Sequence, residues 1–175
     1  MNYEEFPITE DDVRLAYESL PYGKEFLLIE NLEVDQVGHA TADLVDLSLP
    51  TYTFQRAHFS EVEVERGSVV QLEIIPGYII AEALGQLTGA LAQLEMPETD
   101  SRKLGVLKSG QVDLYYPSLS HERLRLEVII KRNRMGFIYS DGYAFKQNGR
   151  LAGYAQTIAG TVNPQDFLYP HNLLQ

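Results

Sequence analysis

Pro76-Gly77-Tyr78-Ile79-Ile80-Ala81-Glu82-Ala83-Leu84-Gly85-Gln86-Leu87-Thr88-Gly89-Ala90-Leu91-Ala92-Gln93-Leu94 is the stretch that decides the fold. Pro76 suits the first turn of a helix, where its missing N–H would have no partner anyway. From Ile79 to Leu94 apolar residues fall on nearly every face of that helix. A helix so apolar has to be wrapped by other elements rather than laid on a surface. What surrounds it in sequence reads as strands. Lys24 to Asp35 is rich in Phe, Leu, Ile and Val, and His39 to Leu47 follows after Gly38. On the far side, Leu124, Leu126, Val128 and Ile130 alternate with Arg123, Arg125, Glu127 and Ile129, the period of a half-buried strand. Asn148-Gly149, between Phe137–Phe145 and Leu151–Val162, is the strongest hairpin signal in the chain. Two strands, one buried helix and four more strands predict an α+β fold, an antiparallel sheet wrapped around one long central helix.

Residues 1–20 form a leader in which Thr9 caps a short amphipathic helix and Glu10, Asp11 and Asp12 occupy its first turn. Residues 163–175 are a tail, and residues 1–175 as a whole fit a single domain. Arg134-Met135-Gly136 is expected to be a turn, with the basic run Lys131 to Arg134 solvated around it.

Composition narrows the function classes. With 45% hydrophobic and 22% charged residues the chain can bury an ordinary core. The formal net charge of -11 disfavours nucleic acid and anionic membranes as partners, since both need a basic surface. With no cysteine, disulfides, thiolate nucleophiles and thiolate metal sites are excluded. His39, His58, His121 and His171 lack the spacing of metal ligands. The acidic start and the lack of a long apolar run make a cytoplasmic location the default expectation.

Glu82 is the first candidate for chemistry. A carboxylate on so apolar a helix is expected to be buried, at a cost of several kcal/mol unless it is paired or protonated. Either outcome makes it a candidate acid or base. Gln86 lies one turn on and could orient it. The plainer alternative is a Glu82 bonded to backbone on a partly wet face. Gly77 supplies a helix-start N–H, at the positive end of the dipole, that could hold a carbonyl oxygen as it gains charge; a tight turn would explain it as well. His58, in Phe54-Gln55-Arg56-Ala57-His58-Phe59, is a candidate general base, although a histidine beside aromatics is more often structural.

Pro76-Gly77-Tyr78-Ile79-Ile80-Ala81-Glu82-Ala83-Leu84-Gly85-Gln86 resembles the Pro-Gly-x-x-x-x-Glu-Ala-x-x-Gln helix of the FabZ-type 3-hydroxyacyl-(acyl carrier protein) dehydratases. The His58 segment is similar to that family's Phe-Phe-x-Gly-His-Phe, and Leu20-Pro21-Tyr22 followed by Phe26-Leu27-Leu28-Ile29 is similar to its Leu-Pro-His-x-x-Pro-Phe-Leu-Leu-Val. The resemblance implies a hotdog fold, dimeric or a trimer of dimers, that dehydrates (3R)-3-hydroxyacyl thioesters in fatty-acid or polyketide-like biosynthesis. It implies His58 as base, Glu82 as acid, the Gly77 amide for the thioester oxygen, Gln86 in support, and no cofactor or metal. The acyl group would arrive on an acyl carrier protein or as a CoA thioester. Arg102, Lys103, Lys131, Arg132 and Arg134 are the candidate carrier-docking residues. A thioesterase or enoyl isomerase on the same thioesters, and a non-catalytic acyl-thioester-binding protein, are the alternatives. The chain departs from the family after His58-Phe59, where Ser60-Glu61 replaces Pro-Gly and residues 61–71 read as an inserted hairpin.

Overall fold

The computed structural model describes residues 8–20, 22–23, 26–49, 52, 59–64, 68–95, 104–134 and 137–162. In chain order the elements are α1 (Glu10–Glu18), β1 (Ile29–Gln36), β2 (His39–Leu44), β3 (Phe59–Val64), β4 (Ser68–Glu73), α2 (Gly77–Glu95), β5 (Leu104–Leu114), β6 (Leu124–Arg134), β7 (Phe137–Lys146) and β8 (Leu151–Val162). Six strands form one antiparallel sheet in the order β1-β2-β6-β7-β8-β5, and β3 and β4 pair as a separate two-stranded ribbon. The helix α2 lies against every strand of the six-stranded sheet, the wrapped arrangement that its composition demands.

Alternation along the strands builds the concave side. Ala40, Ala42 and Leu44 of β2 and Leu124, Leu126 and Val128 of β6 point inward onto Leu84, Leu87 and Leu91 of α2, all of them buried. Each such leucine contributes about 1.5–3 kcal/mol relative to an exposed one. The outward residues of the same strands carry charge: Arg125 bonds Glu33, Asp43 and Thr41, tying β6 to β2 and β1. On that face His39 Nδ1 meets Asp35 Oδ1 at 2.5 Å and Nε2 meets Glu127 Oε1 at 3.0 Å. Burial alone would lower this imidazole, but hydrogen bonds to Asp35 and Glu127, and their charges, raise its pKa above the ordinary value.

Asn148-Gly149 does turn β7 into β8, and Gly149 takes φ 78, a conformation open to glycine at little cost. At α1, the Thr9 hydroxyl accepts from the Asp12 N–H at 3.2 Å and the Asp12 carboxylate accepts from the Thr9 N–H at 2.9 Å, a complete capping box. The expected turn at Arg134-Met135-Gly136 falls between the end of β6 at Arg134 and the start of β7 at Phe137; the basic run before it is solvated but extended rather than turned, the exposed last part of β6, in register with Phe137–Tyr139 of β7 beyond a bulge. The bulge between Ile130 and Arg132 breaks the alternation that would have marked these residues as strand. Met135-Gly136, the rest of the expected turn, lies outside the described residues.

Candidate active site

The first residue of α2 is Gly77, so its N–H belongs to the turn whose amides find no acceptor within the helix. A Cβ at this position would fall 2.1 Å from Leu114 Cδ1, the far end of an exposed side chain that would have to move aside. A hollow of about 440 Å³ opens beside it, bordered by Ile80, Leu114, Tyr115 and Tyr116. Leu114, Tyr115, Tyr116 and, on α2, Tyr78 are all exposed, an apolar surface gathered at the end of β5 and the start of the helix.

Glu82 does not sit in the core as expected; its side chain is exposed. It follows Tyr78 by one turn on a strip of α2 that the sheet leaves uncovered, whereas Ala83, Leu84 and Leu87 turn toward the strands. Exposure does not leave it loose. The Gln86 amide donates to Glu82 Oε1 at 3.3 Å, and the Tyr22 phenol is close enough to feel the charge of the same carboxylate. Burial of the Tyr22 phenol, with the nearby charge of Glu82, pushes its pKa up to about 12.

Gln86 is 1% exposed and acts as a rivet. Its Oε1 accepts from the Leu28 N–H at 2.8 Å, and its Nε2 donates to the Phe26 carbonyl at 2.8 Å. The Tyr52 hydroxyl donates to the Leu27 carbonyl at 3.1 Å and the Tyr17 hydroxyl to Ile29 at 2.8 Å. The segment just after Tyr22 is thereby fixed to α2 at the level of Glu82.

The structure therefore places Gly77, Glu82 and Gln86 on α2, joins Gln86 to Glu82, leaves Gly77 beside a hollow that Glu82 does not border, and adds Tyr22, which sequence reasoning passed over. The signal lay in Leu20-Pro21-Tyr22, quoted above only as a resemblance. His58, Arg102 and Lys103 fall outside the described residues. Lys131 Nζ lies 3.3 Å from Asp141 Oδ2, and the Arg132 guanidinium lies 4.3 Å from the centre of the Tyr139 ring. Arg134 is exposed and makes no such contact among the described residues. Among those residues no group of His, Asp or Glu is arranged to hold a metal ion, and no helix is long and apolar enough to cross a membrane.

No protein-family model and no curated protein sequence matches the chain. Solved structures do. The dehydratase heterocomplex ApeI:P from Xenorhabdus doucetiae matches with a TM-score of 0.67 at 15% identity, over 90% of this chain and 97% of that one. The E. coli PaaI protein from the phenylacetic acid degradation operon matches with a TM-score of 0.57 at 8% identity, over 87% and 94%. A hypothetical thioesterase from Streptococcus pneumoniae, solved with coenzyme A, matches with a TM-score of 0.50 at 12% identity, over 89% and 98%. At these identities the likeness is one of architecture, and with the strand order and the wrapped helix it establishes that this chain has the hotdog fold.

Proposed function

We propose that the protein removes water from (3R)-3-hydroxyacyl thioesters to give trans-2-enoyl thioesters. The observation that carries this reading is a carboxylate, Glu82, bonded by Gln86 and neighboured by Tyr22, on the helix whose first amide belongs to Gly77. In the proposed reaction the thioester oxygen rests on the Gly77 N–H, which steadies the negative charge that builds there. His58 takes the proton from C2 and Glu82 delivers a proton to the departing 3-hydroxyl. The C2–H and C3–O bonds break, the C2–C3 double bond forms, and water leaves. The architecture shared with a dehydratase heterocomplex supports the reading.

The site is proposed to form between two copies of the chain. The two edges of the sheet differ. β1 is blunted by two register shifts, by Asn31 at φ 53 and by Glu30, Glu33 and Asp35, features that discourage pairing. β5 is eleven residues long and leaves Val112 and Leu114 exposed beside Tyr78, Tyr115 and Tyr116. Pairing β5 with its counterpart about a two-fold axis covers that surface and brings a second chain up to Glu82. Hydrolysis of the thioester is the second reading: the exposure of Glu82 favours it, since water can reach the carboxylate, and a thioesterase-like neighbour was solved with coenzyme A.

His58→Ala and Glu82→Gln are each expected to lower hydration of enoyl thioesters by ~100-fold or more with the fold intact. Near wild-type turnover in either variant would overturn the assignment. If the two residues meet across the dimer, co-refolding equal amounts of His58→Ala and Glu82→Ala restores roughly a quarter of wild-type activity by random pairing. Mixed dimers no more active than the separate variants would put both residues on one chain.

A further inference from the structure

The ribbon of β3 and β4 stands apart from the sheet. Its ladder runs from Phe59 opposite Glu73 to Val64 opposite Ser68, and the two strands pair with each other alone. Among the described residues the ties lie at its root: Glu73 bonds Ser120 through backbone and side chain, Ile74 bridges Leu119, and the Ile75 N–H donates to the Ser118 carbonyl at 2.7 Å. Outward from the root the ribbon is exposed, with Val62 40%, Val69 61% and Val70 42% accessible. A lone two-stranded ribbon is marginal in water, so exposed valines on one call for cover.

Register and charge indicate what covers it. Alternation puts Val62, Val70 and Leu72 on one face, and Glu61, Glu63, Val69, Gln71 and Glu73 on the other, with Val69 directly opposite Glu63. The acidic face has no cation among these residues. Across the large sheet, Leu104 stands opposite Val162, Phe137 opposite Gly160, and Arg134 opposite Phe137, so Arg134 and the first residue of β5 lie at the same end. The ribbon root, beside Ser118 to Ser120, lies at the other end, past Leu114. If β5 pairs with its counterpart antiparallel, the ribbon of one chain comes to the end of the second chain that bears Lys131, Arg132 and Arg134. The span from β5 across to the second chain's β6 is four strand spacings, about 19 Å, and a six-residue ribbon reaches about 20 Å.

We propose that the β3–β4 ribbon is an arm that clasps a second copy of this chain, its glutamate face meeting the basic end of that copy's β6. The inference rests on the β5-paired dimer proposed above and assigns the basic end of β6 to subunit assembly rather than to carrier docking.

The absence of cysteine makes the contact testable by directed crosslinking in the full chain. Glu63→Cys and Arg134→Cys are prepared separately, mixed, re-equilibrated and mildly oxidised, with wild-type mass followed by sedimentation. A linked pair of chains is expected from the mixture and from neither variant alone. A wild-type dimer whose mixture does not link overturns the arm and leaves edge pairing standing; a wild-type monomer overturns both. In a chain carrying both cysteines, a link within one chain would show the arm folded back on its own sheet and also overturns the proposal. As an independent measure, Glu61→Lys with Glu63→Lys should weaken the dimer about fivefold or more at low salt, and Arg134→Glu should restore part of the loss. Reversal at Arg134 that slows carrier-linked substrates, spares pantetheine thioesters and leaves the dimer unchanged would identify a carrier site and overturn the clasp.

Discussion

Replacing Gln86 by leucine keeps the size of a fully buried side chain and removes both of its polar functions. In the wild type the Leu28 N–H donates to Gln86 Oε1 at 2.8 Å, and Leu28 is 2% exposed. Without that acceptor a buried amide is orphaned, which costs about 1–3 kcal/mol. Loss of the bond to the Phe26 carbonyl, formed at 2.8 Å in the wild type, adds about 1 kcal/mol. The apolar replacement returns part of this, for a net destabilisation of about 2–3 kcal/mol. Urea unfolding followed by far-ultraviolet circular dichroism at fixed protein concentration measures it, with Gln93→Leu on the exposed side of α2 as the control, expected within about 0.5 kcal/mol of wild type. A loss below about 1 kcal/mol for Gln86→Leu, or one matched by the control, would refute the reasoning that Gln86 rivets the 26–28 segment to the helix.

Tyr22→Phe should fold normally and lower turnover by about three- to tenfold with little change in KM, because it removes the polar group beside Glu82; a purely structural role would move stability instead, and unchanged kinetics would dismiss the tyrosine. Gly77→Ala should cost activity far more than stability, since the exposed Leu114 side chain can swing away while the added methyl crowds the helix-start amide; equal retention of both would remove the amide from the mechanism. His39 gives a pH signature. Its pKa is raised in the folded chain, so its clamp stabilises fully below the unfolded value of 6.5 and that stability is lost as pH rises through the folded value. Against His39→Gln, the wild-type advantage in unfolding free energy should therefore shrink as pH rises above 6.5; a constant advantage over that rise would mean the imidazole does not bind a proton on folding.

How far the sequence revealed this arrangement depends on the range of the interaction concerned. The wrapped helix, the alternating β6, the Asn148-Gly149 turn and the Thr9 cap rest on neighbours a few residues apart, and each was legible. Glu82 was not. An apolar helix announces that it is surrounded, but which strip the sheet leaves bare depends on how six strands curve around it. Tyr22 was missed for the same reason: its partnership with Glu82 depends on Gln86 gripping a backbone carbonyl 60 residues away. The His39 clamp joins residue 39 to residue 127, a contact set by the β2–β6 register rather than by local pattern. Lys131 to Arg134 looked like a turn because charge and a nearby glycine are turn-like locally, while a bulge lets the strand run on.

The most direct measurement supplies a trans-2-enoyl pantetheine thioester and follows enoyl absorbance and free thiol in the same cuvette. The account predicts that absorbance falls as the 3-hydroxyacyl thioester forms, with no thiol released, and that both His58→Ala and Glu82→Gln abolish the change. Thiol release would identify a thioesterase, and tight binding with neither change would identify an acyl-thioester-binding protein; either result contradicts dehydration.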